Sequence, residues 1–228
     1  MTGPPLLVAR SLSVGHDRDV VTGIDLELRA GESWFVLGAN GSGKSTLVAT
    51  LLGLLPPRAG EIRVADSVRR AVGYVPQEPR FEPSLPMLAA EFVAMGIDAG
   101  VRRRAAKERA AAALDAVGAR DLLDRDVRAL STGQRRRVAI ARALVRSPRL
   151  LVLDEPLANL DLRAASALAA DLEQRRRAGL CVVHVAHEVG IARRLATHLA
   201  LVADGRFRAG PAALLGREAF AEAEGPPP

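Results

Sequence analysis

The sequence contains little cysteine and no long apolar run, and each shortage narrows the classes of protein it can belong to. A single cysteine, Cys181, allows no internal disulfide and lies in a β-branched run, which predicts an inert core thiol in a reducing compartment. No apolar run approaches the roughly 18–20 residues that span a bilayer. Residues 1–5 lack a basic region followed by an apolar core, so we expect no secretion signal.

Aromatic residues and lysine are also scarce, whereas arginine is abundant. One tyrosine and one tryptophan offer little for stacking on bases, so we expect no nucleic-acid partner despite the net charge of +6. The arginine runs at 102–104, 135–137 and 175–177 each lie in a predicted helix, and we interpret them as solvated faces or faces near anionic lipid. Lysine occurs only at Lys44 and Lys107, and Lys44 lies in a glycine-rich segment where a compact ammonium suits phosphates better than a planar guanidinium.

Strand-like and helix-like stretches alternate along the chain. This pattern predicts an α/β protein with a mostly parallel sheet, an N-terminal antiparallel β part and an inserted helical subdomain. We expect one domain over 1–228, with its core at about 1–80 and 147–210, the helical subdomain at about 81–146 and a C-terminal tail at 211–228. The predicted elements are the alternating strand Ile24–Leu28, the buried strand Trp34–Leu37, a helix to about Leu52, a helical stretch Pro86–Arg146 with a helix end at Gly118, the strand Leu150–Leu153, a helix from Leu162 to about Arg177 and the strand Cys181–Val185.

The glycine-rich segment after the strand that ends at Leu37 carries the strongest chemical signal. Glycines let backbone N–H groups converge on phosphate oxygens, and the helix start that follows adds the positive end of its dipole. We therefore predict a P-loop NTPase core, with Lys44 on the β- and γ-phosphates of a nucleotide and the Ser45 hydroxyl on Mg²⁺. The loop alone does not say which NTPase this is. The segment that matches the P-loop pattern in full is Gly38-Ala39-Asn40-Gly41-Ser42-Gly43-Lys44-Ser45-Thr46.

Polar side chains follow two later strands. Asp154 and Glu155 come at the end of a buried apolar strand, and sheet topology brings such a strand end beside the phosphate loop. We expect Asp154 to hold Mg²⁺ through its hydration shell and Glu155 to act on the attacking water as general base. His187 follows the next strand and would lie near the γ-phosphate, although a lone histidine is more often structural. His184 and His198 are interpreted as structural.

The segment Leu130-Ser131-Thr132-Gly133-Gln134 is the family-specific signal. Ser131 followed by Gln134 predicts a capping box at a helix start, and taken alone it indicates an ordinary capped helix. In its place along the chain it is similar to the ABC signature. The order of motifs resembles the whole nucleotide-binding domain of ABC transporters over about residues 6–208. That order is the P-loop, the glutamine loop Val75-Pro76-Gln77, the signature, the acidic pair, the D-loop Ala158-Asn159-Leu160-Asp161 and His187.

The resemblance implies an ATP-hydrolysing subunit that uses ATP and Mg²⁺ and lies peripherally on the cytoplasmic face of the cell membrane. In the family, two copies pair head to tail, and the helix start at the signature meets the γ-phosphate held by the opposite subunit; we expect a homodimer. The implied roles are catalysis for Glu155, His187, Gln77 and Lys44, Mg²⁺ binding for Ser45, Gln77 and Asp154, and ATP contacts for His16, the loop residues Gly38, Ala39, Asn40, Gly41, Ser42, Gly43, Lys44, Ser45 and Thr46, and Ser131, Gly133, Gln134 and Asp161.

Two positions depart from the family pattern. Thr132 stands where the family usually has a first glycine, and its β-branched side chain restricts the backbone, so we expect slower turnover or a looser dimer. His16 stands where an aromatic residue usually stacks on adenine. Imidazole offers less area for stacking, so we expect weaker selectivity for the base.

The segment Gln77–Gly96 indicates the partner and the cargo. In the family, the segment after the glutamine loop receives the membrane subunit, so we expect integral-membrane permease subunits to bind here. The segment resembles ATPases of zinc and manganese importers, which suggests a divalent-metal cargo. A transporter ATPase for another cargo, a soluble ABC ATPase in DNA repair, translation or cluster assembly, and a P-loop kinase are the alternatives. A simpler interpretation of the segment is that its large apolar residues only pack the helical subdomain and contact no partner. These residues are Phe81, Leu85, Phe92 and Met95.

Overall fold

A computed structural model describes residues 3–69, 71–77, 86–155, 162–186, 189–216 and 220. The strands are β1 (Leu7–Val14), β2 (Val21–Leu28), β3 (Ser33–Leu37), β4 (Ala59–Val64), β5 (Val72–Val75), β6 (Leu150–Asp154), β7 (Cys181–Val185), β8 (His198–Ala203) and β9 (Arg206–Pro211). The helices are α1 (Lys44–Leu51), α2 (Asp66–Arg69), α3 (Ala89–Ala94), α4 (Arg103–Ala116), α5 (Thr132–Leu144), α6 (Leu162–Arg177) and α7 (Val189–Leu195). Short 3₁₀ turns lie at Arg120–Leu122 and Val127–Ala129.

The nine strands form one sheet in the order β4-β1-β2-β9-β8-β3-β7-β6-β5. From β8 to β5 every neighbouring pair is parallel. Antiparallel pairs join β1 to β2 and β4 near the N-terminus, and β8 to β9. The predicted α/β fold, mostly parallel with an antiparallel N-terminal part, is confirmed.

The central strands are buried on both faces, which explains their almost continuous apolar sequences. Every residue of β3, β6 and β7 is buried. On β6, Leu150 and Val152 pack in a cluster that includes residues of α1, whereas Leu151 and Leu153 pack in the cluster of the inserted helices. Successive side chains of a strand point to opposite faces, so one short strand contributes to two cores.

The inserted helices α3, α4 and α5 pack on one another and on the sheet. Leu114, Leu122 and Ile140 are fully buried in a cluster that extends to Leu151 and Leu153. α4 ends as predicted before Gly118, which has a φ of 62°. None of the helices in the described part of the chain is long and apolar enough to cross a membrane.

Parallel pairing places the polar strand ends at one edge of the sheet. Val36 of β3 and Asp154 of β6 are each paired with Val185 at the end of β7. The chain leaves β3 at Leu37, turns through the glycine-rich loop and enters α1 at Lys44. The loop and the end of β6 therefore lie at the same edge, separated by one strand.

Candidate active site

The loop between β3 and α1 follows a path that only glycine allows at two positions. Gly38 has a φ of 148°, and a Cβ there would lie 2.2 Å from the carbonyl oxygen of Val202. Gly43 has a φ of 105°, and a Cβ there would lie 2.7 Å from Cγ2 of Val21 and 2.8 Å from Cγ1 of Val20. Any side chain at either position would both clash and strain the backbone. The loop is thereby held close against its neighbours, with its backbone accessible on the other side.

The loop carries both buried and exposed polar groups. Ser42 Oγ is buried and has no hydrogen-bond partner among the described residues. The Thr46 carbonyl oxygen accepts a hydrogen bond of 2.9 Å from Thr50 Oγ1 within α1. The exposed loop residues are Ala39, Asn40, Gly41 and Ser45.

Lys44 is a buried cation between the loop and the end of β6. Its side chain donates hydrogen bonds to the carbonyl oxygens of Gly38, at 2.7 Å, and Ala39, at 2.8 Å. Burial lowers the pKa of the ammonium, and the charges of Asp154 and Glu155 act in the opposite direction. The structure thus brings Lys44 and the two predicted carboxylates into one electrostatic cluster.

Glu155 leaves the sheet with an unusual backbone conformation. Its φ is 51°, in the left-handed region that non-glycine residues rarely adopt. Its N–H donates a hydrogen bond of 2.8 Å to the carbonyl oxygen of Val185. Asp154, the residue before it, is buried at the end of β6. Asp154 is therefore buried within the sheet, whereas Glu155, just past the end of β6, is partly exposed.

Arg136 is a site residue that the sequence interpretation missed. The run 135–137 was predicted to lie on a solvated helix face, but for Arg136 this is wrong, because its exposed fraction is only 3%. Nη1 and Nη2 donate hydrogen bonds of 3.2 and 2.9 Å to the carbonyl oxygen of Gln77, and Nη2 donates one of 2.9 Å to the carbonyl oxygen of Asp154. Burial lowers the pKa of the guanidinium, opposed by the charges of Glu155 and Asp154. The spacing of residues on a helix indicates this burial, because Arg136 shares a helix face with buried Ile140.

The signature segment forms the predicted capped helix start. Ser131 Oγ accepts a hydrogen bond of 3.3 Å from the Gln134 N–H, and the Gln134 side chain accepts one of 3.0 Å from the Ser131 N–H. The capping box is confirmed. Ser131 and Thr132 are exposed and Gly133 is partly exposed. Among the described residues, the hydrogen bonds of Ser131 stay within this first turn of α5. Arg136, two residues after Gln134, donates a hydrogen bond to the carbonyl oxygen of Asp154.

His16 lies in the exposed turn between β1 and β2. Its carbonyl oxygen accepts a hydrogen bond of 2.9 Å from Arg58, whose Nε also donates one of 2.7 Å to Asp19. The turn leads into Val20, which packs beside the position of Gly43 at the start of α1. The structure therefore places the turn that carries His16 next to the phosphate loop.

The other candidate residues either have structural roles or lie outside the residues that the structure describes. His184 is buried and stacks on Phe35, with ring centroids 4.4 Å apart, and His198 stacks on Trp34 at 4.6 Å. The buried thiol of Cys181 has a raised pKa because burial disfavours the thiolate. These packing roles agree with the sequence interpretation. His187 and Asp161 lie outside the described residues.

Comparisons with known proteins identify one family. A family model described as ABC transporter matches residues 21–158. The zinc import ATP-binding protein ZnuC of Cereibacter sphaeroides is 39% identical over 188 residues, which cover 82% of this chain and 74% of the relative. ZnuC of Paracoccus denitrificans is 39% identical over 193 residues, covering 83% and 73%. The structure of cbiO1 from Clostridium perfringens, part of the ABC transporter complex cbiONQ, matches with a TM-score of 0.81 at 26% identity, over 95% of this chain and 93% of that chain.

Three features define this protein as a P-loop ATPase. They are a P-loop whose path requires glycine at two positions, a buried lysine beside it, and a strand that ends in two carboxylates. The chain belongs to the ABC transporter family. Within that family it is an ATP-hydrolysing subunit, the type of chain that powers transport.

Proposed function

We propose that this chain hydrolyses Mg²⁺-bound ATP as one half of a homodimer and thereby drives membrane subunits that take up zinc or manganese. The observation that carries the proposal is the cluster of Lys44, Asp154 and Glu155 at one edge of the sheet. The cargo is supported by the zinc import proteins that resemble this chain and by the sequence of Gln77–Gly96.

The residues at the loop fit a nucleotide with its metal ion. The glycine-rich backbone, the Lys44 ammonium and the buried, unpartnered Ser42 hydroxyl among the described residues suit phosphate oxygens. The Ser45 hydroxyl, the Asp154 carboxylate and the Gln77 side-chain carbonyl are oxygen donors, which Mg²⁺ prefers. When bound there, Mg²⁺ would neutralise phosphate charge and polarise the γ-phosphoryl group.

The chemical step needs a base for the attacking water and a cation for the charge that develops on the phosphate oxygens. Glu155 accepts a proton as the oxygen of a water molecule bonds to the γ-phosphorus. The bond from that phosphorus to the β–γ bridging oxygen breaks, and ADP and phosphate form. Lys44 stabilises the charge that develops on the phosphate oxygens. A role for His187 at the γ-phosphate is proposed because it follows β7 in the sequence and takes the last place in the order of motifs.

A second copy completes the site. The first N–H groups of an α-helix have no partner within the helix, so the start of α5 can receive an anion. Ser131 and Thr132 are exposed there, and Gly133 adds no bulk. In a head-to-tail dimer this turn would cover the γ-phosphate bound by the P-loop of the other copy.

The membrane subunit binds in a groove beside the edge strand β5. The groove has a volume of about 440 Å³ and is bordered by Pro76, Phe92, Met95, Arg142 and Arg146, among others. Phe92 is buried and lies under the Arg142 guanidinium, 4.6 Å from it, so it packs the helical subdomain. Met95 is 58% exposed, and it therefore offers apolar surface to a partner.

A cellular uptake experiment tests the proposal. Deleting the gene in its source organism should lower uptake of radioactive zinc or manganese, and the wild-type gene should restore it. A Glu155→Gln gene should not restore uptake, and the purified variant should bind ATP, form a stable dimer and hardly hydrolyse ATP. Arg109→Met, on an exposed part of α4, is the control and should behave like wild type.

Three results would contradict separate parts of the proposal. Unchanged uptake of zinc and manganese in the deletion strain, with an active purified ATPase, would refute the cargo. Normal turnover by Glu155→Gln would remove Glu155 as the base. Purification from detergent-extracted membranes without any integral-membrane partner would favour a soluble ABC ATPase.

A further inference from the structure

We infer that Arg136 is a positioning residue that sets the direction of Glu155 and ties it to the start of the signature helix and to Gln77. The inference rests on the proposed role of Glu155 as general base. Arg136 lies outside the P-loop, the glutamine loop, the signature segment and the acidic pair.

Arg136 holds one side of the peptide bond that joins Asp154 to Glu155. The carbonyl oxygen of this peptide accepts a hydrogen bond of 2.9 Å from Arg136 Nη2. The N–H of the same peptide donates a hydrogen bond of 2.8 Å to the carbonyl oxygen of Val185. With both polar groups held, the peptide plane cannot turn without breaking a buried hydrogen bond.

The orientation of that plane determines where the Glu155 side chain points. Glu155 has a φ of 51°, a conformation that costs energy and persists only when its surroundings enforce it. Arg136 and Val185 supply that enforcement from opposite sides. Releasing the carbonyl oxygen of Asp154 would let Glu155 relax towards an ordinary φ and turn its carboxylate away from its present direction.

The same guanidinium also binds the carbonyl oxygen of Gln77, just after β5. Because β5 and β6 are paired neighbours, Arg136 bridges the ends of two adjacent strands from one helix. It lies two residues after Gln134, on the helix that the Ser131–Gln134 capping box begins. A single side chain thus joins the predicted base, the predicted metal ligand Gln77 and the helix start that faces the other copy.

The positive charge of Arg136 indicates that this residue does more than fill space. Burying a guanidinium costs free energy unless its donors are satisfied. Arg136 is buried, and its Nε has no hydrogen-bond partner in the described residues. An apolar residue of similar length would pack without that cost, but it would leave the carbonyl oxygens of Gln77 and Asp154 without these hydrogen bonds. The hydrogen bonds, and not packing alone, therefore account for an arginine at this position.

Steady-state ATP hydrolysis by Arg136→Met, Arg136→Gln and Arg136→Lys tests the inference. Methionine fills the volume but donates no hydrogen bond, so kcat should fall about 10²-fold, the effect of a misplaced catalytic group. KM for ATP should stay within about threefold, because the loop around Lys44 is untouched. Glutamine, which can donate to a carbonyl oxygen, should recover part of kcat, and lysine should recover less because one ammonium reaches both carbonyls poorly. Arg109→Met is the matched exposed control.

Single-turnover hydrolysis in a Glu155→Gln background separates positioning from folding. If Arg136 acts through Glu155, adding Arg136→Met to Glu155→Gln should lower the remaining rate little, because the effects are not additive. Circular dichroism and thermal unfolding establish that each variant is folded, and Arg136→Gln replaces Arg136→Met if the latter is not.

The outcomes are distinct. Folded Arg136 variants with kcat within about twofold of wild type, or with KM rising in parallel with the loss of kcat, overturn the inference. A full further loss in the Glu155→Gln background also overturns it. Normal turnover by Glu155→Gln alone instead refutes the proposed base, whatever the Arg136 variants do.

Discussion

Lowering the pH from 7 to 5 should destabilise the folded protein by about 2 kcal/mol through His184 alone. His184 is buried against Phe35, and burial lowers its pKa from 6.5 to about 4. Between these values the unfolded chain binds a proton that the folded protein does not, so stability present at pH 7 is lost as the pH falls. The complete loss, reached below pH 4, is about 3 kcal/mol. This is a large share of the 5–15 kcal/mol by which ordinary domains are stable.

Urea unfolding followed by circular dichroism at pH 7 and pH 5 measures this effect. His184→Phe keeps a ring on Phe35 but cannot take up a proton, so it should lose about 2 kcal/mol less than wild type over this interval. Glu173 does not interfere, because Arg176 and Arg177 lower its pKa to about 2 and its contribution is lost only as the pH falls from 4.5 towards that value. Equal losses in both proteins would refute the reasoning from burial.

Two further predictions follow from the helix start and the exposed turn. Ser131→Ala should lower the free energy of unfolding by about 1 kcal/mol through loss of the cap, and it should also slow ATP turnover. Ser131→Asp should keep the cap. Equal thermal stability of the wild type, Ser131→Ala and Ser131→Asp would contradict the capping argument. His16→Tyr should tighten ATP binding by about 3- to 10-fold through better stacking, measured with a fluorescent ATP analogue, and an unchanged affinity would contradict the assignment of His16 to the adenine.

Features that depend on neighbouring residues in the chain were predictable. The strand Cys181–Val185 has the predicted bounds, and the strand beginning at Leu150 is longer by one residue. Both are apolar runs buried on two faces, so composition alone indicates them. The capping box of Ser131 and Gln134 was predictable because its two hydrogen bonds join residues three apart.

Features that depend on distant contacts were not predictable in the same way. The φ of Glu155 is fixed by β7 and α5, and no short stretch of sequence encodes that juxtaposition. The run 135–137 gives no composition signal that its middle residue is buried, because all three residues are arginine. Only the helical spacing from Arg136 to Ile140 and Leu144 carries that information.

The anchoring of Arg136 has a mechanical consequence for communication between two copies. Three hydrogen bonds fix α5 at this side chain, so a rigid rotation of the inserted helices would have its pivot there. Ser131 lies five residues away, about 7.5 Å along the helix axis. A tilt of about 10° would shift Ser131 by only about 1 Å, yet hydrogen bonds to phosphate tolerate little more than this. In the proposed head-to-tail dimer, closure on the neighbour's nucleotide would need only a small movement of Ser131, which Arg136 would transmit to the peptide of Glu155.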